Sequence, residues 1–523
     1  MASNILNVLE NVEKGRQNCI KNAKLANLPA TDNMDIFNIG NLFLEQNNTE
    51  FIDPDATWVR PSDWWNTKSI LENAQDIEQD GVIYHPAYII LLSNTNATTQ
   101  LSKTDTTYIA TQGDAYIFSD EPDTLYVGDQ THTWDVSKDK PCSEGYKTRY
   151  VIVYMTDIVL KSSIAISKDI NILEIILGEI NISDMSKSFI TTGDNKFMVN
   201  FELTSKTIST ILQIKGACFS SMPSLKRLSL PNATKLMCDA SASIFRSCMS
   251  LIEINMPNVI EIRGGVFSYI VDGCPNLKTI NMPNLETLIT TNSYLYGFIC
   301  NCRGLKTINL PKLKSISTQN TASIFCGNCS LENLILPNLT EININGSNKS
   351  DTKFGNGNYS LHNIDLSSLK TINYVDFLND CNNLKIVNLP MVNTIKCTTV
   401  LRYAYSLNYL NIPQLTTFIV NSCGENAYSL YNFKFYNMLS AFEVANLFKN
   451  ASSIKYIELI TNWNWSLNVA DTDLTHECII DMFNKLKDLT GADSLTLTIG
   501  ANNLAKVTDE EKLIANNKNW ILA

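Results

Sequence analysis

The sequence predicts an α+β chain that is mainly β: a solenoid of short coils, preceded by an N-terminal helix and a small β-rich domain and closed by an α/β cap. Three observations lead there. A seven-residue phrase, L-x-x-I-x-L-P, is written three times, at residues 251–257, 277–283 and 305–311. Its leading apolar residue recurs at Leu225, Leu251, Leu277, Leu305, Leu331, Leu361, Leu384, Leu407, Leu430 and Ile454, with gaps of 26, 26, 28, 26, 30, 23, 23, 23 and 24 residues. The flanks on either side do not repeat, so they are separate units.

Two weaker copies precede the regular ones, Ile172/Ile175/Leu177 and Met198/Phe201/Leu203, which makes about twelve coils over residues 156–470. A period of about 20–29 with this apolar spacing is a leucine-rich-repeat signature. Alternation within L-x-x-I-x-L is that of a strand, and Pro, with no N–H to give, ends the pairing. The expectation is one strand per coil. Apolar residues after the Pro, such as Val259, Ile262, Leu285 and Leu288, bring the chain back across the core. Before each anchor comes an element like residues 244–248, 298–302 or 377–381, which reads as a tight helical turn burying Phe and Cys. No coil buries its core alone, so each depends on its neighbours.

The composite pattern F-x-x-C-x-S-L-x-x-I-x-L-P resembles the leucine-rich repeats of the BspA-like type, which occur in bacterial surface adhesins and phage-encoded proteins. The resemblance covers about residues 160–460 and implies the fold more than a function. Departures are a missing residue at 329–331, Tyr in place of Cys at Tyr359, Tyr405 and Tyr428, and a polar insertion at 345–358 expected to loop out.

The N-terminal part reads as two pieces. In residues 1–50, Ile5, Leu6, Leu9, Val12 and Ile20 fall at helical spacing and form an amphipathic helix with a linker behind it. Ile5, Leu9 and Val12 are the expected attachment contacts, docking either on a partner chain or on the next domain. Residues 51–155 hold short β-rich runs split by Gly, Asp, Asn and Thr, which read as a separate small sandwich or barrel. The Trp58/Trp64/Trp65 box and residues 131–135 read as core packing, with a ligand groove as the alternative. W-V-R-P-S-D-W-W at 58–65 and S-K-D-K-P-C-S-E-G-Y-K-T-R-Y at 137–150 resemble structural proteins of tailed phages of gut Bacteroidales. That resemblance implies a virion protein, with other virion proteins as partners of the N-terminus and a homo-oligomeric state, although no heptads are present.

Residues 471–523 stop repeating. Ile479, Ile480, Phe483, Leu486 and Leu489 form a helical stripe ended by Gly491, residues 495–499 a strand, Thr508-x-x-Glu511 a capping box, and residues 520–522 a last strand. An open stack leaves an unpaired apolar end, and this segment caps it.

Composition excludes several classes. Lys plus Arg is 41 against 52 for Asp plus Glu, a formal charge of −11 with no basic stripe, so nucleic acid is not an expected partner. The N-terminus lacks a secretory signal and no window is long enough to span a membrane, so the expected location is the virion, after synthesis in the host cytoplasm. Of fourteen cysteines, Cys248, Cys274, Cys302, Cys329 and Cys381 share one repeat position and are expected to stack, reduced and buried. Cys300-x-Cys302 and Cys326-x-x-Cys329 lack the paired ligand spacing of a zinc site, so no metal or cofactor is expected. There is no G-x-S-x-G, P-loop or H-E-x-x-H, and no enzyme is expected.

Binding is the expected role. The outward position four after each anchor reads Asn255, Asn281, Asn309, Ile335, Asp365, Asn388 and Asn411, an amide row that either stiffens the face or offers donors and acceptors to a host cell-surface glycan or protein. Toward the C-terminal end Tyr409, Tyr431 and Tyr456 fall at outward offsets, in line on successive coils. With Trp463 and Trp465 they form either a stacking platform or the packing edge of the cap, while Phe433 and Phe435 face the core.

Overall fold

The computed structural model describes residues 58–523 apart from 94–109, 112–115, 122–123, 128–138, 144–146, 157–163, 166–170, 179–198, 204–210, 215–218, 239–241, 265–266, 291–294, 319–321, 345–351 and 374–375. The expected attachment residues Ile5, Leu9 and Val12 and the stretch at 131–135 lie outside the described residues.

A mainly β solenoid dominates. Along one side, the anchor side, run twelve short strands, from Asn171–Leu177 through Glu253–Asn255, Thr279–Asn281 and Tyr409–Asn411 to Tyr456–Glu458, bounding eleven full turns. Wherever they are hydrogen-bonded to one another these strands pair parallel and in register, as Ile254 with Ile280 and Val387 with Leu410. The buried central residue of each strand and the anchor before it pack inward, as Leu251 and Ile254 do in one coil and Leu384 and Val387 in another. Each large apolar side chain so buried contributes about 1.5–3 kcal/mol.

The Pro that follows sits at the second position of a tight turn. The N–H of Val259 donates to the Met256 carbonyl at 3.3 Å, Leu285 to Met282 at 3.2 Å and Leu313 to Leu310 at 3.1 Å. Pro presets φ for that position and gives up no ladder bond there. Asn next to the Pro then links coils: Asn258 Nδ2 donates to Pro231 O at 2.7 Å and Asn284 to Pro257 O at 2.8 Å.

One strand per coil proves too few. After the turn a second strand, such as Glu261–Gly264 or Thr287–Thr290, builds the return side. The segment expected to be a helical turn is instead a third strand, as in Ala242–Arg246 and Leu295–Cys300. Its apolar residues alternate into the core, where Phe354 stacks on Phe377 at 5.4 Å. The chain then turns through left-handed residues. In the later coils these come two apart: Ile299 and Asn301, Phe325 and Gly327, Gly355 and Gly357, Leu378 and Asp380, Leu401 and Tyr403, Gly424 and Asn426, Phe448 and Asn450. The first N–H of such a pair donates back to the preceding coil (Leu378 to Phe354 O, 2.9 Å) and the second forward to the next (Asp380 to Arg402 O, 2.8 Å). These bonds hold bulky residues in a conformation that costs an L-residue roughly 1–2 kcal/mol.

Repeat length has a geometric counterpart. In the last three of the four coils that are 23 or 24 residues long, the return and third strands merge into single strands, Thr394–Val400, Thr417–Cys423 and Ala441–Leu447. The insertion at 345–358 does not loop out as a whole. Residues 345–351 lie outside the described part, but Lys353–Phe354 is a third-side strand and Asn358 is buried.

The described residues of 58–155 do not stand apart from the solenoid as a domain. Strand Val82–Ser93 pairs antiparallel with both Lys147–Met155 and Asn171–Leu177, Ile90 facing Ile175, so the N-terminal strands extend the anchor-side sheet of the solenoid. Helix Thr67–Asn73 covers this extension, with Leu71 packed among Ile89, Ile152, Tyr154 and Ile176. At the other end the cap forms largely as expected. Helix His476–Lys485 starts at a Thr475 cap, the Thr508/Glu511 capping box closes both ways at 3.2 and 2.8 Å, and Leu495–Thr498 pairs with Trp520–Leu522. The helix stops at Lys485, short of Gly491, where Lys518 Nζ donates to the carbonyls of Phe483, Asn484 and Leu486 at 3.0, 2.8 and 3.0 Å. A cation there satisfies orphan carbonyls and the helix dipole together.

Candidate binding surface

The anchor side presents two kinds of surface. Over the first coils its outward residues satisfy one another. Asn255 Nδ2 donates to Ser229 Oγ at 3.1 Å while its Oδ1 accepts from Asn281 Nδ2 at 2.7 Å, and further on Asn411 donates to Asn388 at 2.8 Å. A second row, offset by two residues, does the same: Asn333 donates to Thr307 at 3.2 Å and Asn363 to Asn333 at 3.1 Å. Asn309 and Asp365 flank the apolar Ile335 in register, and Asp365 turns its carboxylate to the Ser367 N–H at 3.0 Å. These side-chain bonds run from one coil to the next along this face.

From anchor Leu407 onward the surface changes. Tyr405, Tyr409, Tyr428, Tyr431, Tyr436 and Tyr456 are each 40–51% exposed, far from the burial typical of an aromatic held by its own fold. Tyr405 and Tyr428 stack almost parallel, centroids 5.5 Å apart and planes at 5°, and Tyr403 meets Tyr405 edge-on at 6.1 Å. The Arg402 guanidinium lies 4.6 Å over Tyr403 and pairs with Glu425 at 3.0 Å. On the strands beside them, Tyr431 and Tyr456 pack at 5.9 Å, and Lys434 sits 5.1 Å from the Tyr436 ring while bonding Glu458 at 2.9 Å. Partial burial, with Tyr436 nearby, raises the Tyr409 phenol above its ordinary range, so that ring is neutral near pH 7.

Three sequence expectations need correcting. Tyr431 is not in line with Tyr409 and Tyr456: Asn432 is the register partner of Tyr456, so Tyr431 stands one residue earlier and reaches Tyr456 by tilting. Trp463 is no platform but fully buried, within 4.9 Å of Phe435 and of Phe442, and it bridges in parallel to Leu486. Its Nε1 donates to the carbonyl of Trp465 at 2.6 Å, and Trp465 packs edge-on against it at 5.3 Å, partly buried. Third, the buried repeat position before each anchor is held by Asn328, Asn358, Ala404 and Ala427, not by Cys329, Tyr359, Tyr405 and Tyr428. Asn358 makes the reason plain, since its Nδ2 reaches the Phe325 and Gly355 carbonyls at 2.8 Å each, and the residue after it is pushed outward. Reading the register one residue too late hid the Tyr405/Tyr428 pair.

At the opposite end the two signature stretches, 58–65 and 137–150, meet. Trp65 Nε1 donates to Thr148 O at 3.1 Å, its ring packs on Tyr150 at 5.1 Å, and the Ser143 N–H bonds Asp63. Arg60 binds the fully buried Glu174 carboxylate with two bonds of 2.8 Å, and Asn200 adds one of 2.7 Å. A charge row continues along the coils, Lys68 to Glu202 at 2.6 Å, Glu202 to Arg227 at 2.7 Å and Arg227 to Glu253 at 3.2 Å. This arrangement clasps the first coils.

The BspA-type leucine-rich-repeat region model matches in six copies, over residues 174–271, 241–353, 269–396 and 348–465, more than half of the chain. The chain belongs to the BspA-type leucine-rich-repeat family. The L-x-x-I-x-L-P coils lie within the matched region, and a leucine-rich-repeat solenoid is typically a non-catalytic interaction scaffold. No curated protein matches the chain. Among solved structures, a leucine-rich cell surface protein from Faecalibacterium prausnitzii A2-165 is similar at 12% identity, covering 60% of this chain and 83% of that one with a TM-score of 0.14. A TLR13–ssRNA13 complex is similar at 14% identity, covering 68% and 81% with a TM-score of 0.11. Scores this low carry no argument about function. Among the described residues no group of three or more His, Cys, Asp or Glu is placed to hold a metal, and no helix is long and apolar enough to cross a membrane.

Proposed function

We propose that this BspA-type solenoid is a non-enzymatic adhesive protein that binds a host cell-surface protein or glycan through its C-terminal tyrosine sector. The supporting observation is the contrast on one side of the molecule: amide rows bonded to themselves, then half-exposed tyrosines led by the parallel Tyr405/Tyr428 pair. Tyrosine combines a large apolar ring with a polar tip and loses little side-chain entropy on binding, which is why it is enriched in interfaces. The test is binding of the full chain to host cells and to arrayed host glycans. Tyr405→Ala/Tyr428→Ala and Tyr409→Ala/Tyr456→Ala should each lose binding while keeping the wild-type circular dichroism; binding that survives both would remove the sector from the function.

The setting we propose is a tailed-phage particle, with the N-terminal region as the attachment to other virion proteins and a homo-oligomeric assembly. Its support is the resemblance of residues 58–65 and 137–150 to tail-associated proteins. A bacterial cell-surface adhesin is the second reading, favoured by the family itself. Mass spectrometry of purified particles and of the host envelope separates them. Stoichiometric presence in particles supports the virion role, and presence in the envelope alone refutes it.

A further inference from the structure

Two thiols in the middle of the stack differ from the other cysteines. Cys300 ends the third-side strand Leu295–Cys300, and Cys326 stands two residues beyond Ile324, the register partner of Phe298, so both hold the same place in neighbouring parallel coils. Parallel neighbours lie about 4.8 Å apart, within the ~4.4–6.8 Å between Cα atoms that a disulfide accepts. The main-chain N–H of Cys326 already donates to Cys300 Sγ at 3.3 Å, while the thiols themselves donate to carbonyls, Cys300 to Ser323 O at 3.4 Å and Cys326 to Ile324 O at 3.3 Å. Cys300 is buried and Cys326 half-buried, which gives a reagent from solvent access to one sulfur of the pair.

The neighbouring row of cysteines differs in its burial. Cys248, Cys274 and Cys302 are fully buried, and their thiols donate to the carbonyls of Phe219, Phe245 and Cys300 at 2.8, 3.3 and 3.3 Å. The hydrogen bond with Cys274, together with burial, holds the Cys248 thiol far above its ordinary range. In Cys326 burial acts in the same direction, yet the hydrogen bond from Cys300, bonds with the Asn356 and Ile324 backbone and the charge of Lys353 outweigh it and leave that thiol below its ordinary range. Burial and the Cys326 thiol push Cys300 the other way. A thiolate-prone sulfur beside a protonated resolving one is the arrangement thiol–disulfide exchange requires.

We infer that Cys300 and Cys326 form an oxidative modification site, closing into a disulfide between adjacent coils by exchange with a small-molecule disulfide. The Cys326 thiolate attacks one sulfur of that reagent, breaking its S–S bond and releasing one thiolate, which takes up the proton Cys326 gave to solvent. Cys300 then loses its proton and attacks Cys326 Sγ, expelling the second reagent thiolate, which leaves as a thiol. Two electrons and two protons pass from the protein to the reagent. The inference stands whether or not the tyrosine sector binds a partner.

The experiment is incubation of the purified full chain with oxidised glutathione, followed by non-reducing digestion and mass spectrometry. The expected result is one peptide pair joined through Cys300 and Cys326 and an upward shift of the thermal midpoint that reductant reverses. Cys326→Ser should abolish both the link and the shift while leaving the reduced protein as stable as wild type, and Cys302→Ala should keep the link. Free thiols unchanged by the reagent, a glutathione adduct at Cys326 that does not close, or a Cys326–Cys329 link would each overturn the assignment.

Discussion

The amide and tyrosine halves of the anchor side share one backbone and one register but answer to different constraints. In the first, Asn255 and Asn281 find their partners one coil away, because parallel strands about 4.8 Å apart put amide against amide. In the second, Tyr409 and Tyr456 occupy the same row as Thr279, Thr307 and Asn333, yet rings of that size cannot satisfy one another along the stack and stay half-exposed. A repeat that saturates its own surface stabilises the molecule; one that leaves it unsaturated is available to a partner. The tyrosines follow the shortening of the coils, which begins at Leu361, and the merging of the second and third strands, which begins at Thr394–Val400.

The most drastic way to break the comparison is Trp463→Ala, which hollows the aromatic floor shared with Phe435 and Phe442 beneath the tyrosine half. It should cost about 3–5 kcal/mol in urea unfolding and abolish binding through loss of structure. Asn281→Ala sharpens it: breaking the amide row should cost about 0.5–1.5 kcal/mol and leave host binding at the wild-type level. Tyr405→Ala/Tyr428→Ala is the mirror case, with a stability loss near or below ~1 kcal/mol from the ring pair but binding weakened at least about tenfold in a titration, worth about 1.4 kcal/mol. If Asn281→Ala weakens binding as much as the tyrosine pair does, the division into two halves fails.

The smallest effect concerns the joint between the last coil and the cap. Hydrogen bonds from Lys455 and Lys506 hold the Asp473 carboxyl down to about 2. A folded-state pKa below the ordinary carboxylate value adds stability that is present above about pH 4 and disappears as pH falls through about 2. The gap in stability between wild type and Asp473→Asn should therefore be level above pH 4 and close on acidification. Its height should be slight, because all three side chains are well exposed to solvent.

The period of the repeat made the solenoid and its anchor strand legible, and the Pro explained why each strand ends. Third-side strands stayed hidden for a physical reason. Ile299, Phe325, Leu378, Leu401 and Phe448 take a left-handed conformation that their residue types disfavour, and only Gly355 and Gly424, at equivalent places, carried the signal. The N-terminal strands were misjudged as a domain because pairing of Ile90 with Ile175 is long-range and leaves no local pattern. Of the two readings of Trp463, stacking platform or packing edge of the cap, the structure shows the packing. The tyrosine sector was half visible: Tyr409 and Tyr456 followed from parity, whereas Tyr405 and Tyr428 needed the small Ala404 and Ala427 to be recognised as the buried residues.

The antiparallel strand Val82–Ser93 at one end and the cap joined through Trp463 at the other close the stack in both directions. Its length is set by the number of coils between the two closures, eleven turns at roughly 4.8 Å each. Duplicating one internal coil would lengthen it by a single such step and carry the tyrosine sector that much farther from the Arg60 clasp, with every interface in between reproduced unchanged. The chain is in effect a ruler, and the distance between its two ends can be altered one graduation at a time.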